Sequence, residues 1–254
     1  MSPTGPNEPR TGETLALPNG LVCRVPSRKM LPIVRSTIRE VFHRERYARP
    51  GFELAPGDNV IDVGANIGIF TLWASSRLQR GRVLAVEPSP AVEILRSNLA
   101  ANGIRNVIAE RAAVGRADGE LELEFYPYAD VMSRGSDQRR PWPMRLLMAR
   151  TRAKRVTVPT LSLGQVLERS AMERVDYLKI DCEGGEFELC RAARPEDWRR
   201  IRRVSLEYHE YRADQRHEEL VSILRRHGFR VEVRGSRWRR TLTGTGDIWA
   251  RRAA

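Results

Sequence analysis

Apolar residues fall along the chain in short continuous runs, and stretches with helical spacing separate them. "NVIDVG" (59–64) precedes a helix-like "FTLWASSRL", "RVLAVEP" (82–88) precedes "PAVEILRSNLAANG", and "NVIAERAAVG" (106–115) follows as a third run. Runs this continuous do not suit a sheet with one wet face. They predict parallel strands covered by helices. In the second helix, Ser89 is placed to cap, Pro90 to take the first position and Gly103 to end it.

Farther on, "ELELEFYP" (120–127) and "RVTVPTLSL" (155–163) read as strands, followed by a helix around "LGQVLERSA". "VDYLKID" (175–181) and "RRVSLEYHE" (202–210) read as two more central strands and "EELVSILRRHG" as a helix. "FRVEVRG" and "DIWARR" then close the chain as an antiparallel hairpin. The expected architecture is α/β, with a seven-stranded, mostly parallel sheet, a terminal hairpin and helices on both faces. Residues 1–14 are polar and Pro-rich and read as a disordered arm, 15–58 as a lead-in segment and 59–254 as the main domain. Periodicity fails between Pro127 and Arg155, a segment rich in Arg, Met and Trp that is either a substrate lid or a solvated loop.

Composition narrows the setting. A chain of 254 residues accommodates one large α/β domain. Its start has neither an apolar signal core nor an Arg-rich amphipathic pattern, and no run approaches the roughly 18 apolar residues of a membrane span. A cytoplasmic protein is expected, with a dimer possible and the oligomeric state open. Cys23, Cys182 and Cys190 lack paired spacing, so they read as small buried hydrophobes rather than disulfide, zinc or iron–sulfur residues. The formal charge of +12 points toward nucleic acid, an anionic surface or an acidic substrate. Of 44 basic residues, however, only Lys29, Lys154 and Lys179 are lysine, a bias that the codon composition of a GC-rich genome explains better than selection for a partner does.

The chemistry begins at "DVGANIG" (62–68). A dinucleotide fingerprint would need glycine where Asn66 and Ile69 stand, and a phosphate-cradling loop would need a following Lys-Ser or Lys-Thr. What remains is an acid at a strand end, Asp62, and a tight turn through Gly64, Ala65, Asn66 and Gly68. Gly64 and Gly68 allow close backbone approach, and Asn66 is the non-glycine best able to adopt a left-handed conformation. Glu87, followed by Pro88, ends the next strand on the same rim, where an acid suits two ribose hydroxyls. A ribose acid without a pyrophosphate cradle suggests S-adenosylmethionine. Asp62 would then face the positively charged end of its methionine moiety, and the adenine would lie near Ala112 and Ala113.

"VIDVGANIGIFTL", "VLAVEPSP", "TLSLGQVL" and especially "VDYLKIDCEGGEFELC" resemble the FkbM-type methyltransferases. That family is a branch of the class I S-adenosylmethionine-dependent enzymes with a Rossmann-like seven-stranded sheet. The likeness covers about Val60 to Tyr211, and "EVFHRERYARPGFELAPGD" resembles the family's lead-in segment. The resemblance implies methylation of hydroxyl groups on polyketides, sugars, glycolipids and similar metabolites, in secondary metabolism. It also implies that Glu45 and Tyr47 fold over the cofactor. Ser162 departs from the usual Asp, and Gly185 from the usual Ala.

Methyl transfer to an alcohol needs an aligned acceptor and somewhere for its proton to go. Lys179 and Asp181 share one side of their strand, with Glu183 and Glu186 in the turn beyond, and Glu207 and His209 share a side of the next. Neighbouring strands would bring Asp181 and His209 together, with His209 as base and Asp181 orienting it or the acceptor. A divalent metal on Asp181, Glu207 and His209 is an open alternative. The plainer readings are a satisfied histidine at 209 and an ion pair between Lys179 and Glu183. His43, His217 and His227 read as ordinary helix or loop residues. Competing functions are RNA ribose methylation, disfavoured by the missing second lysine, and a non-catalytic module that binds nucleic acid or a carrier protein.

Overall fold

The computed structural model describes residues 13–116, 119–125, 134–135, 154–234 and 244–252. Its central sheet has seven strands: β1 (Val60–Val63), β2 (Val83–Val86), β3 (Val107–Glu110), β4 (Tyr177–Ile180), β5 (Arg203–His209), β6 (Phe229–Arg234) and β7 (Thr245–Arg252). They lie in the order β6-β7-β5-β4-β1-β2-β3, all parallel except β7, which runs antiparallel to both its neighbours. The strand order reverses between β1 and β4, and a ligand crevice belongs at the carboxyl ends of the strands flanking that point.

The helices are α1 (Leu31–Ile38), α2 (Ile69–Ser75), α3 (Ala91–Ala101), α4 (Leu163–Ser170), α5 (Glu186–Ala192), α6 (Pro195–Arg199) and α7 (His217–Arg226). Strands β1, β2 and β4 are buried along their whole length because each has a covered face on both sides. Ile61, Leu84, Leu178 and Leu206 face α4, α5 and α7, where they meet Val166, Phe187 and Leu220. Val60, Ala85, Tyr177 and Trp249 face the other way, toward Phe70, Trp73 and Leu95, and toward Met30, Val34 and Tyr47 of the lead-in segment. Among the described residues, no helix is long and apolar enough to cross a membrane.

Three sequence expectations need correction. The run at 106–115 is not one strand: β3 stops at Glu110, and Ala113–Val114 joins Gly119–Phe125, Arg134–Gly135 and Lys154–Leu161 in a separate four-stranded sheet. The alternation "ELELE" explains this, because it suits a sheet buried on one face, and Leu123 packs on Ala113 and Val158 while Leu121 is exposed. The arm does not extend to residue 14, because Glu13–Ala16 pairs with Val22–Val25; residues 1–12 lie outside those described. Helix α3 starts one residue late, with Pro90 at its cap and the Ser89 hydroxyl accepting the Ala91 N–H at 3.2 Å. Gly103, at φ +62, follows its end as expected. Most of 127–155, the lid-or-loop segment, lies outside the described residues.

Ser162 closes a capping box on α4: its hydroxyl accepts the Gln165 backbone N–H at 3.2 Å, and the Gln165 side-chain Oε1 accepts the Ser162 N–H at 2.9 Å. A serine caps as well as an aspartate, so the departure there preserves the local structure. Cys23, Cys182 and Cys190 are free; Cys23 and Cys190 are buried and Cys182 is partly so.

Candidate active site

The turn after β1 is built by close approach. Gly64 has φ +76, and a Cβ on it would collide with the backbone carbonyl of Asp181, so the loops following β1 and β4 touch there. Asn66 takes the left-handed conformation at φ +51, and its Oδ1 accepts the Ile67 N–H at 2.7 Å. The Gly64 and Ala65 N–H groups donate to the Val86 carbonyl, and the Asn66 N–H donates to Glu87 at 2.8 Å. The other Glu87 oxygen accepts the Ser89 N–H at 2.9 Å. Burial raises the Glu87 pKa above the usual carboxylate range, although these bonds oppose the shift.

Between this turn and the end of β4 lies a cleft of about 160 Å³. Gly64, Ala65, Asn66, Glu87, Pro88, Asp181 and Tyr47, all expected at a cofactor, line it, as do Lys179 and Glu183. Ile33, Val34 and Val41 of the lead-in and Phe70 of α2 supply an apolar wall. Tyr47 is buried edge-on against Phe70, with ring centroids 4.7 Å apart.

Four expected positions do not line the cleft. Asp62 is fully buried beneath the turn, because the register sets it directly opposite Lys179; Lys179 Nζ donates to it at 2.9 Å and the Thr71 hydroxyl at 2.6 Å. It therefore does not face a ligand's positive end. Gly68 is at φ +92 and leaves room for the Leu95 side chain, which makes it a contact between α2 and α3. Ala113 belongs to the second sheet, and Ala112 is buried beside it. Glu45 is exposed at φ +45 and faces a separate cavity with Arg44, Arg46 and Arg49.

At the ends of β4 and β5 the charges form a linked set. Lys179 also donates to the Gly64 carbonyl at 3.0 Å and lies 3.9 Å from Asp181. Burial would lower the lysine's pKa, but Asp62 and Asp181 outweigh it, so the ammonium form is strongly favoured. Its partners are those two aspartates rather than Glu183. The Asp181 carboxyl is pushed up to about 7, first by burial and then by the charge of Glu207, against the opposing pull of Lys179 and His209.

Asp181 and His209 do come together, but not as acid and base. Oxygens of Asp181 and Glu186 and a nitrogen of His209 all lie within 4.8 Å of one another, and His209 Nδ1 is 2.9 Å from Glu186. Burial would lower the histidine's pKa, yet Glu186, Glu183 and Asp181 push it up to about 10. That balance favours the imidazolium form of His209, in which neither ring nitrogen is vacant to accept a proton. Glu186, not Asp181, orients it. Glu207 is drawn away to Arg46 at 2.8 Å, so the set Asp181, Glu207 and His209 does not converge. Glu183 sits at φ +51 and accepts the Tyr211 hydroxyl at 2.6 Å.

Sequence reasoning missed the role of Glu186, which is fully buried and also accepts the Cys182 and Gly184 N–H groups at 3.0 and 2.8 Å. It missed Arg46, which joins Glu40, Glu207 and Asp247, and the apolar face of α1. His217 pairs with Glu210 at 2.8 Å, and His227 stacks on Trp198 with centroids 5.9 Å apart, so both are structural as expected.

The chain is similar to known methyltransferases. The methyltransferase FkbM domain matches residues 62–231. The 31-O-demethyl-FK506 methyltransferase FkbM of Streptomyces tacrolimicus is 33% identical over 241 residues, covering 86% of this chain and 89% of that protein. Methyltransferase 1 of Beauveria bassiana is 31% identical over 216 residues, covering 78% and 84% respectively. Among solved structures, the methyltransferase FkbM of Methylobacillus flagellatus superposes with a TM-score of 0.50 at 13% identity. That likeness is one of fold; it covers 80% of this chain and 46% of the other.

Proposed function

The chain belongs to the FkbM methyltransferase family and has the class I methyltransferase fold, and on that premise we propose that it is an S-adenosylmethionine-dependent O-methyltransferase. The observation that carries the reading is the placement of Asp181 on the wall of the cleft that Glu87 also lines, where burial and the charge of Glu207 push its carboxyl up to about 7. A base that titrates near working pH suits removal of a proton from an attacking hydroxyl.

The cleft residues fit the cofactor. Each Glu87 oxygen accepts one backbone N–H, which fixes the carboxylate on the cleft wall in a position that suits a ribose diol. Gly64 and Ala65 bring bare backbone to the same surface. Tyr47, Val34 and Val41 make residues 15–58 a cover over the site. S-adenosylmethionine, when bound, supplies an electrophilic methyl group on sulfur. The chain's own part is to hold the acceptor, exclude water and take the proton at an Asp181 oxygen.

Lys179 is a positioning residue in this reading, because its ammonium ties Asp62, the Gly64 carbonyl and Asp181 into one unit. The imidazolium of His209, gripped by Glu186, fixes the 181–186 turn from behind. Glu183, held by Tyr211, lines the cleft beside Asp181 and is placed to receive an acceptor hydroxyl. The acceptor class is a hydroxyl on a polyketide, sugar or glycoside; the Streptomyces tacrolimicus relative, named for a 31-O-demethyl compound, supports oxygen as the target.

The test is calorimetric titration with S-adenosylmethionine, followed by a mass-spectrometric screen of hydroxylated metabolites for the gain of one methylene. Glu87→Ala should abolish the heat of binding, and Asp181→Asn should keep it while losing turnover. An absence of binding heat in folded wild-type protein would overturn the reading.

A further inference from the structure

At the opposite pole of the sheet, where the parallel strands begin, lies a cavity of about 620 Å³. Five arginines line it, Arg202, Arg203, Arg230, Arg251 and Arg252, against two carboxylates, Asp58 and Glu53. The register makes this concentration explicit: Arg251 on β7 stands directly opposite Arg203 on β5 and Arg230 on β6. Like charges directly opposed across strands weaken a sheet, so the row is a local cost that the fold retains.

The five divide into frame and free groups. Arg203 is buried; it donates to the Asp176 carbonyl at 2.9 Å, to Asp58 at 2.5 Å and to the Glu53 carbonyl, which ties the lead-in to the sheet. Arg252 donates to the carbonyls of Ile201 and Trp198 at 2.9 and 2.8 Å. Among the described residues, the guanidinium groups of Arg202, Arg230 and Arg251 make no hydrogen bond or ion pair. Arg251 is nevertheless seated, because Gly51, at φ +83, has no Cβ and any Cβ there would collide with the guanidinium.

We propose that this cavity binds a phosphate-bearing small molecule, its oxyanion held by Arg202, Arg230 and Arg251. The planar guanidinium fork matches phosphate oxygens two at a time, and a phosphate or diphosphate supplies the multiple negative charge that five guanidinium groups against two carboxylates call for. A small ligand fits better than a nucleic acid strand. The arginines gather in one cavity across three adjacent strands instead of tracking along a face. The site lies at the far end of the strands from the cleft, so its ligand is not the methyl acceptor, and the inference stands independently of the proposed reaction.

The experiment is calorimetric titration of the full chain with inorganic pyrophosphate at constant ionic strength. Saturable binding at one site per chain is expected, weakened about tenfold or more by Arg230→Ser and by Arg251→Ser. Arg230 is exposed and has no hydrogen bond or ion pair among the described residues, so its replacement should leave the fold intact, which the melting temperature checks. Arg105→Ser, an exposed site beyond α3 near the opposite edge of the sheet, should change nothing. Three results would overturn the proposal: no saturable heat, equal weakening by Arg105→Ser, or binding only of single-stranded RNA with affinity growing with its length.

Discussion

His209 Nδ1 lies 2.9 Å from a Glu186 oxygen, with both side chains buried, and this pairing makes the histidine a structural cation. A sequence reading makes His209 the base and Asp181 its orienting partner; with this contact His209 braces the turn after β4, and Asp181 is left as the group able to accept a proton.

Stability should record the His209 pair. Its folded pKa is pushed up to about 10 from the ordinary 6.5, so the fold binds this proton more tightly than the unfolded chain does. The resulting stabilisation is fully present below pH 6.5 and is lost as pH rises through about 10. Urea midpoints should therefore fall between pH 7 and pH 10, roughly the window those pKa values define. His209→Gln should flatten that decline, and Glu186→Gln should cost about 3–5 kcal/mol at neutral pH by stranding a buried charge. An identical pH slope in His209→Gln would remove the assignment.

Activity should follow Asp181. A base must be ionised to act, so turnover should rise with pH through about 7 and level off above it. Asp181→Asn should lower kcat by about 10²–10⁴ with little change in cofactor affinity. Glu207→Gln removes the charge that, after burial, raises the Asp181 pKa most, so it should shift the midpoint of the profile to lower pH. A profile unmoved by Glu207→Gln would locate the titrating group elsewhere.

How far the sequence carried this picture depends on the kind of signal. The glycine turn was legible because Gly64 and Asn66 are both in left-handed conformations that only a few residue types tolerate. Glu87 was legible from its place at a strand end, and Asp181 from strand alternation. Asp62 was misread because a strand position says which face a side chain takes, not which neighbour claims it; Lys179 does, through a cross-strand register that one sequence does not reveal. Glu186 was hidden for a related reason. It sits at the start of α5, and its contact with His209 spans two elements whose distance only the packed sheet defines. The second sheet went unread, although the alternation of "ELELE" is the pattern of a one-sided strand.

The Lys179–Asp62 pair is the next test, since both groups are buried and each is the other's principal counter-charge. Lys179→Met should leave the aspartate, among the described residues, with the Thr71 hydroxyl alone and cost about 3–5 kcal/mol. The double variant Lys179→Met with Asp62→Leu should lose less than the sum of the single losses, because it removes the stranded charge. Additive losses in denaturant unfolding would mean that the two residues stabilise the fold separately.

Gly64 and Gly68 both have positive φ, but what their absent side chains would strike differs, and that difference can be measured. At Gly64 the obstacle is the Asp181 backbone carbonyl, which cannot retreat without parting the loops after β1 and β4. At Gly68 it is one methyl of Leu95, the end of a side chain on α3. Each alanine substitution bears about 1–2 kcal/mol for its left-handed backbone. Beyond that shared cost, Gly68→Ala should recover stability when Leu95 is shortened to Ala, less the cavity so formed, whereas no side-chain truncation should rescue Gly64→Ala. The same steric logic extends to the cleft, since displacing the Asp181 carbonyl moves its carboxyl as well. Gly64→Ala should thus lower turnover even in the fraction that stays folded, read as kcat per mole of native protein from active-site titration. Full turnover in Gly64→Ala would mean that the contact between the two loops does not position Asp181.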